Sequence, residues 1–464
     1  MPRPIHPPLV PAPAWAGAAA SPWPPALLGL AALALSVWAF GGQGLWFDEL
    51  FTFAATDPAR PLAEVFAQVV LPDVHPPLYY LVARGWAALV GTSEAAYRAL
   101  SLLAAAGALL ALHRAERAWF GPGGPAVMAA LAAGLPFTVY FAKEARAYAL
   151  LLLLCALLLW TTLLLVRGLR AGRVGRGLLL AHLACMVAAC LTHYFGYVAA
   201  LCHALVALAA APRPRDALAL LAAYGLAAVP PAAWLLAHLP HLGSHAGGAF
   251  WIPFEPLATL EGAARLFSRR SALWLAAAAL LAWCAYRAAR CGTLPALARG
   301  AAPWLLALAG MVALPLLLSL HTPVATPRNY VVLVPPALFL AAMAARAAGT
   351  GLAPAALVLL AALNLGATAW WAAHERKPAW DPAAELLEAH PACRGATVPA
   401  HRFAGPAEAM YAYHARPLGV RPAFVTGPGG SLLPGPGGRS ALEALAPAAR
   451  ASGCPLLYWG AGLD

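Results

Sequence analysis

Apolar residues fall along this chain in runs close to the length that a helix needs to cross a bilayer, about 20 residues, and short polar clusters separate them. Eleven such runs are read, at 22–42, 96–113, 121–141, 148–166, 177–193, 195–211, 217–237, 272–290, 303–320, 330–347 and 353–372. The stretch 78–91 is apolar but too short to cross, and with Tyr79, Tyr80 and Trp86 it reads as an interfacial helix inside a first loop spanning 43–95. A Pro-rich lead with the single cation Arg3 precedes the first run. Because so many runs follow, that first run reads as a retained helix, not a cleaved signal.

Beyond the last run the pattern changes. Asp381-Pro382 fits the N-cap and first residue of a helix, and Ser440-Ala-Leu-Glu443 fits a capping box. Each is followed by a Gly beside a Cys and a short apolar run, 396–399 and 455–459, with a Gly/Pro-rich loop at 427–438 between the two units. The predicted fold class is a polytopic α-helical membrane protein: about 11 transmembrane helices in 1–372, then a small α/β outer segment, 373–464.

Composition agrees: 62% of the residues are hydrophobic, only 10% are charged, and the mean hydropathy of +0.71 is outside the range of soluble domains. The net charge of +12 would raise nucleic acid as a partner, but its placement decides otherwise. With the N-terminus inside, the inner segments hold thirteen of the 30 cations and only two acids, Glu116 and Asp216, which leaves the outer side nearly neutral. The basic excess therefore follows the positive-inside rule, and nucleic-acid binding is excluded as a function. Of eight cysteines only Cys393 and Cys454 fall on the outer side. Their pairing is left open at this stage. The Ala, Leu, Gly, Pro and Arg bias points to a bacterial inner membrane, with the C-terminus extracytoplasmic.

In this topology several polar spots share the outer face. Asp48-Glu49 follows the first run, and Asp73-Val-His75-Pro-Pro closes the same loop. Asp48 and Glu49 read either as a helix start or as a general base at the membrane edge. Lys143-Glu144-Ala-Arg146-Ala-Tyr148 ends the third run; Glu144 could orient an acceptor or, with Asp48, hold a divalent cation such as Mg²⁺ or Mn²⁺. Arg328-Asn-Tyr330 reads as a snorkelling belt or as a clamp on a lipid phosphate, with Arg98 and the His193-Tyr194 corner in support. Phe250-Trp251-Ile-Pro253 is belt material or a sugar platform. No Walker loop, metalloprotease helix or paired CxxC occurs, and most spans lack the mid-helix acid or base of a proton-coupled transporter.

These residues together resemble the GT-C superfamily of membrane glycosyltransferases, especially bacterial family-39-like enzymes related to protein O-mannosyltransferases and lipid A aminoarabinose transferases. The resemblance rests on Trp46-Phe-Asp48-Glu49, His75-Pro-Pro-Leu-Tyr79-Tyr80, Gly91-Thr-Ser93-Glu94 with Arg98, Glu144-Ala-Arg146-Ala-Tyr148, Thr192-His193-Tyr194, Phe250-Trp251-Ile-Pro253 and Arg328-Asn-Tyr330, in that order across 22–372. It implies transfer, with inversion, from a polyprenyl-phosphate sugar to a hydroxyl acceptor in the cell envelope. Asp48, Glu49 and Glu144 would be the catalytic acids, and Arg328, Tyr330, Arg146 and Arg98 would hold the donor phosphate. His75, Tyr79, Tyr148, His193, Tyr194 and Trp251 would contact substrate. Asn329 interrupts an Arg-Tyr pair usual in such enzymes, and Lys143 replaces a commoner Gln. Two alternatives stay open: a lipid or solute transporter, and a non-catalytic subunit of an envelope assembly complex.

Overall fold

The computed structural model describes residues 23–39, 45–121, 126–246, 255–374, 389–393, 397–401 and 421–425, with 447, 451, 453 and 454. The first run is α1 (Trp23–Trp38). The first loop holds α2 (Phe47–Thr56), α3 (Leu62–Val65) and α4 (Leu78–Val90). The short α4 is amphipathic and stands where the interfacial helix was expected. Then follow α5 (Glu94–Phe120), α6 (Val127–Gly134), α7 (Pro136–Ala142), α8 (Tyr148–Arg170), α9 (Arg176–Thr192) and α10 (Tyr194–Ala209). The chain continues through α11 (Pro214–Ala227), α12 (Val229–Ala246), α13 (Pro256–Arg265), α14 (Ser271–Arg290), α15 (Leu294–Ser319), α16 (Val334–Ala347) and α17 (Leu352–His374). Each of the eleven predicted runs carries helix, and among the described residues seven helical segments are long and apolar enough to cross a membrane.

Local chemistry sets the boundaries. The Ser93 hydroxyl accepts the Ala96 N–H at 3.2 Å to start α5, and Gly121, at φ 90°, ends it where a side chain would be strained. The third run breaks into α6 and α7 because Leu135 precedes Pro136 and is extended, φ −72° and ψ 135°. Gly134 lets α6 and α17 touch: a Cβ there would stand 2.5 Å from the Ala361 carbonyl oxygen. One buried core joins α1, α5 to α8, α10 and α14 to α17, from Leu112 and Phe137 through Leu151 to Phe339. Large leucines such as Leu226, Leu306 and Leu275 face outward, 75%, 73% and 72% exposed, as a lipid-facing surface requires. Toward the end of the bundle opposite α2, the buried Glu116 carboxylate caps α6 through the Met128 N–H (2.8 Å) and meets Arg346 at 3.4 Å.

In the C-terminal segment, β1 (Thr397–His401) pairs in parallel with β2 (Arg421–Val425), in the register Thr397 to Arg421. The first strand is close to the expected 396–399; β2 was not foreseen. The two expected helices and the strand at 455–459 lie outside the described residues. Cys393 and Cys454 form a disulfide, with Cα atoms 4.6 Å apart, which closes the question that the sequence left open.

Candidate active site

The site is built on α2. Trp46 is its N-cap, so Asp48 and Glu49 lie in the first turn, where the helix dipole favours negative charge. The helix start that the sequence offered is therefore present, with Trp46 and not Asp48 as its cap. The helical turn points the neighbouring acids in different directions. Glu49 is 1% exposed and fully engaged: it takes Nε and Nη2 of Arg98 at 3.2 and 3.1 Å, the Ala145 N–H at 2.9 Å and the Trp46 N–H at 3.4 Å. That clamp fixes α2 to α5 and to the 143–147 turn. It also withdraws Glu49 and Arg98 from the catalytic and phosphate-binding places that the sequence offered them, because a bidentate buried ion pair leaves neither group open to a substrate.

Asp48 is the accessible acid. Its Oδ2 accepts Nη1 of Arg328 at 2.7 Å, across 280 residues of sequence, and the two side chains keep 15% and 25% exposure. Arg328 lies over the Tyr148 ring, 5.5 Å from its centroid. Tyr148 thus occupies the place that the motif gave to Tyr330. Tyr330 itself turns inward, fully buried against Phe195, because Pro327–Leu333 is a tight 3₁₀ turn and Asn329 holds the Val324 carbonyl at 3.0 Å. Arg146, 6% exposed, donates to the Asp48 carbonyl (3.2 Å) and the Thr52 hydroxyl (3.4 Å), and its Nε is buried with no hydrogen-bond partner.

A narrow cleft beside this pair is lined by His75, Tyr79, Tyr80, Arg146 and Tyr148. His75 shares a hydrogen bond with Asp73 (2.9 Å), and the Tyr80 hydroxyl donates to the same carboxylate oxygen (2.5 Å). The His75 ring stands edge-on to His193 at 5.4 Å, and Tyr148 lies 5.9 Å from His193. Nδ1 of His193 accepts the Phe195 N–H (3.1 Å), so its proton is on Nε2. Burial pushes the Asp48 carboxyl up, but the charges of Arg146 and Arg328 outweigh it and hold Asp48 below the usual carboxylate range. Burial also raises Asp73, yet His75 and Tyr80 bring it down to about 2.

Glu144 is 1% exposed and accepts the Trp46 indole N–H at 3.0 Å. Among the described residues no group of three or more His, Cys, Asp or Glu is placed to hold a metal ion. A guanidinium, not an open face, meets the Asp48 oxygen that would bind a cation. Tyr194 turns away from the cleft to the His238 imidazole, whose other nitrogen meets the Leu71 carbonyl (2.9 Å), tying α12 to the first loop. Trp251 lies outside the described residues. Sequence reasoning quoted Trp46, Asp73 and Tyr80 within its motifs without giving them a role, and missed His238 altogether. The i, i+2 spacing of Asp73 and His75, and a lone His within an apolar run, were the available signals.

No protein-family profile and no curated protein matches this chain. Solved structures do. The crystal structure of ArnT from Cupriavidus metallidurans bound to undecaprenyl phosphate aligns with a TM-score of 0.53 and 14% identity, over 86% of this chain and 89% of that one. The apo-state structure of the same protein aligns with a TM-score of 0.53 and 15% identity, over 91% and 94%. The polytopic fold is thus an ArnT-like fold.

Proposed function

We propose that this protein is a polyprenyl-phosphate-dependent membrane glycosyltransferase, moving a sugar from the lipid donor to a hydroxyl acceptor on the outer face of the inner membrane. The observation that carries the reading is the meeting of Asp48 and Arg328 at 2.7 Å, beside Arg146 and the His75 cleft. ArnT, which shares the fold, binds undecaprenyl phosphate. A carboxylate and guanidinium groups at one mouth are what such a transfer needs.

The acceptor oxygen attacks the anomeric carbon from the face opposite the phosphate. Its proton passes to the Asp48 carboxylate as the bond to C1 forms. The bond from C1 to the phosphate oxygen breaks, its electron pair stays on the leaving polyprenyl phosphate, and the anomeric centre inverts. Guanidinium groups stabilise that charge in a partly desolvated site, so the leaving group needs no acid.

Arg328 has two tasks in this scheme. Without donor it neutralises Asp48; when the donor phosphate arrives it can engage that anion with the same fork. The exchange loosens the ion pair and restores basicity to Asp48 once the donor is seated. Glu49 with Arg98 and Asp73 with His75 are positioning pairs, which hold α2 and the imidazole in place.

Donor titration tests the reading. Purified protein is offered a panel of polyprenyl-phosphate sugars, and release of polyprenyl phosphate is followed. Arg328→Ala should raise the donor KM more than Arg328→Lys, because Lys keeps the charge but not the fork. Passage of intact donor across a vesicle membrane with no free polyprenyl phosphate would instead establish the transporter.

A further inference from the structure

The opposite end of the bundle holds a cavity that this chemistry does not use. Arg170 ends α8 twenty-two residues after Tyr148 begins it, about 33 Å away at 1.5 Å per residue. There the α8–α9 turn and the start of α11 enclose about 230 Å³. Leu169, Leu179 and Leu220 give it an apolar floor, and Arg213, Arg215 and Asp216 stand at its mouth. Asp216 is 4.0 Å from the Arg215 Nε, and the lining as a whole carries two guanidinium groups and one acid. Arg173 and Arg176 add positive charge in the adjoining turn.

The walls are held in register from within. The buried His182 imidazole on α9 meets the Thr161 hydroxyl of α8 at 3.2 Å and the Tyr224 hydroxyl of α11 at 3.3 Å. Three helices are thereby tied together below the cavity. Outside the mouth, Leu180, Leu218 and Leu221 are 66%, 65% and 51% exposed and continue the apolar surface.

We propose that this cavity binds the head group of an anionic phospholipid, with its phosphodiester at Arg213 and Arg215 and its acyl chains along the neighbouring leucines. The volume suits a phosphate and its glycerol, while the chains must lie outside. A basic mouth over an apolar floor, opening onto lipid-facing leucines, is complementary to an amphiphilic anion. A free phosphate would leave the floor and the leucines unused.

The test uses the full chain in phosphatidylcholine vesicles that carry a minor fraction of phosphatidylglycerol, with native mass spectrometry reading the lipid retained. One phosphatidylglycerol should be held in preference to phosphatidylcholine. Arg213→Ala/Arg215→Ala should lower its retention on the order of tenfold. Arg287→Ala/Arg290→Ala, the same charge change at the end of α14, should leave it unchanged. Ala219→Trp, which fills the cavity without altering charge, should lower it as well. Equal losses from both arginine pairs, no loss from either, retention unaffected by Ala219→Trp, or displacement by inorganic phosphate would each overturn the proposal. None of these variants touches the Asp48 site, so the outcome is independent of the transferase reading.

Discussion

Charge placement around Asp48 makes a prediction at the scale of one residue. In the native site Arg146 and Arg328 outweigh burial and depress the carboxyl, so the acid limb of the proposed activity should lie below the usual carboxylate range. Arg328→Gln removes one of those charges and leaves burial less opposed. The acid limb of kcat/KM in that variant should move to higher pH, as a pH–rate profile would show; an unmoved limb would mean that Asp48 is not the titrating base. Asp73 makes a separate prediction about stability. Its pKa falls from 3.8 unfolded to about 2 folded, so its contribution is complete above about pH 4 and is lost as the pH falls toward 2. The shift corresponds to about 2 kcal/mol. Asp73→Asn should therefore lower unfolding stability by that order at neutral pH, with the gap from wild type closing in acid. Glu49 separates positioning from catalysis. Glu49→Ala takes the bidentate carboxylate from the buried Arg98, which keeps the longer contact to Glu94 at 3.8 Å, and should cost about 3 kcal/mol; a fully stable but inactive variant would return Glu49 to the catalytic group.

At the scale of elements, the site depends on tight corners. Gly196, at the start of α10, lies so close to α9 that a Cβ would sit 2.0 Å from the Ala189 carbonyl oxygen. Because both atoms are fixed by helix backbone, Gly196→Ala should cost about 1–3 kcal/mol and displace His193, which sits in that corner. Thermal unfolding in detergent would read the first effect, and loss of donor affinity the second. Periodicity and run length made these helices legible, since a bilayer demands long apolar segments and excludes most alternatives. The candidate site was legible where motifs named charged groups, and Asp48, Arg146, Arg328, His75 and His193 do converge. What sequence could not give was the partnering of those groups. Glu49 and Asp48 are adjacent, yet one is buried with Arg98 and the other is left open to Arg328; only the helical turn and the position of α5 decide which. Tyr148 standing under Arg328, in place of Tyr330, follows in the same way from a 3₁₀ turn that hydropathy does not reveal.

For the whole molecule, we propose the orientation that the uneven distribution of arginines implies, with the C-terminal segment and its Cys393–Cys454 disulfide in an oxidising compartment. Cys291 offers a natural probe, since it is exposed at the end of α14 while the other free cysteines are buried or partly so. A membrane-impermeant maleimide should label it in inverted vesicles and not in intact cells; the opposite pattern would reverse the topology and move the Asp48 site to the inner face. Strand β2 escaped sequence reading because five residues containing a proline carry little periodic signal. The convergence of distant polar groups on one mouth is the central claim, and Asp48→Asn tests it most directly. That substitution preserves shape and removes the negative charge. Reconstituted variant and wild type are given the same polyprenyl-phosphate sugar and acceptor, and released polyprenyl phosphate is measured. The account predicts turnover in the wild type and none in a folded, membrane-inserted Asp48→Asn protein; equal turnover in both would contradict it.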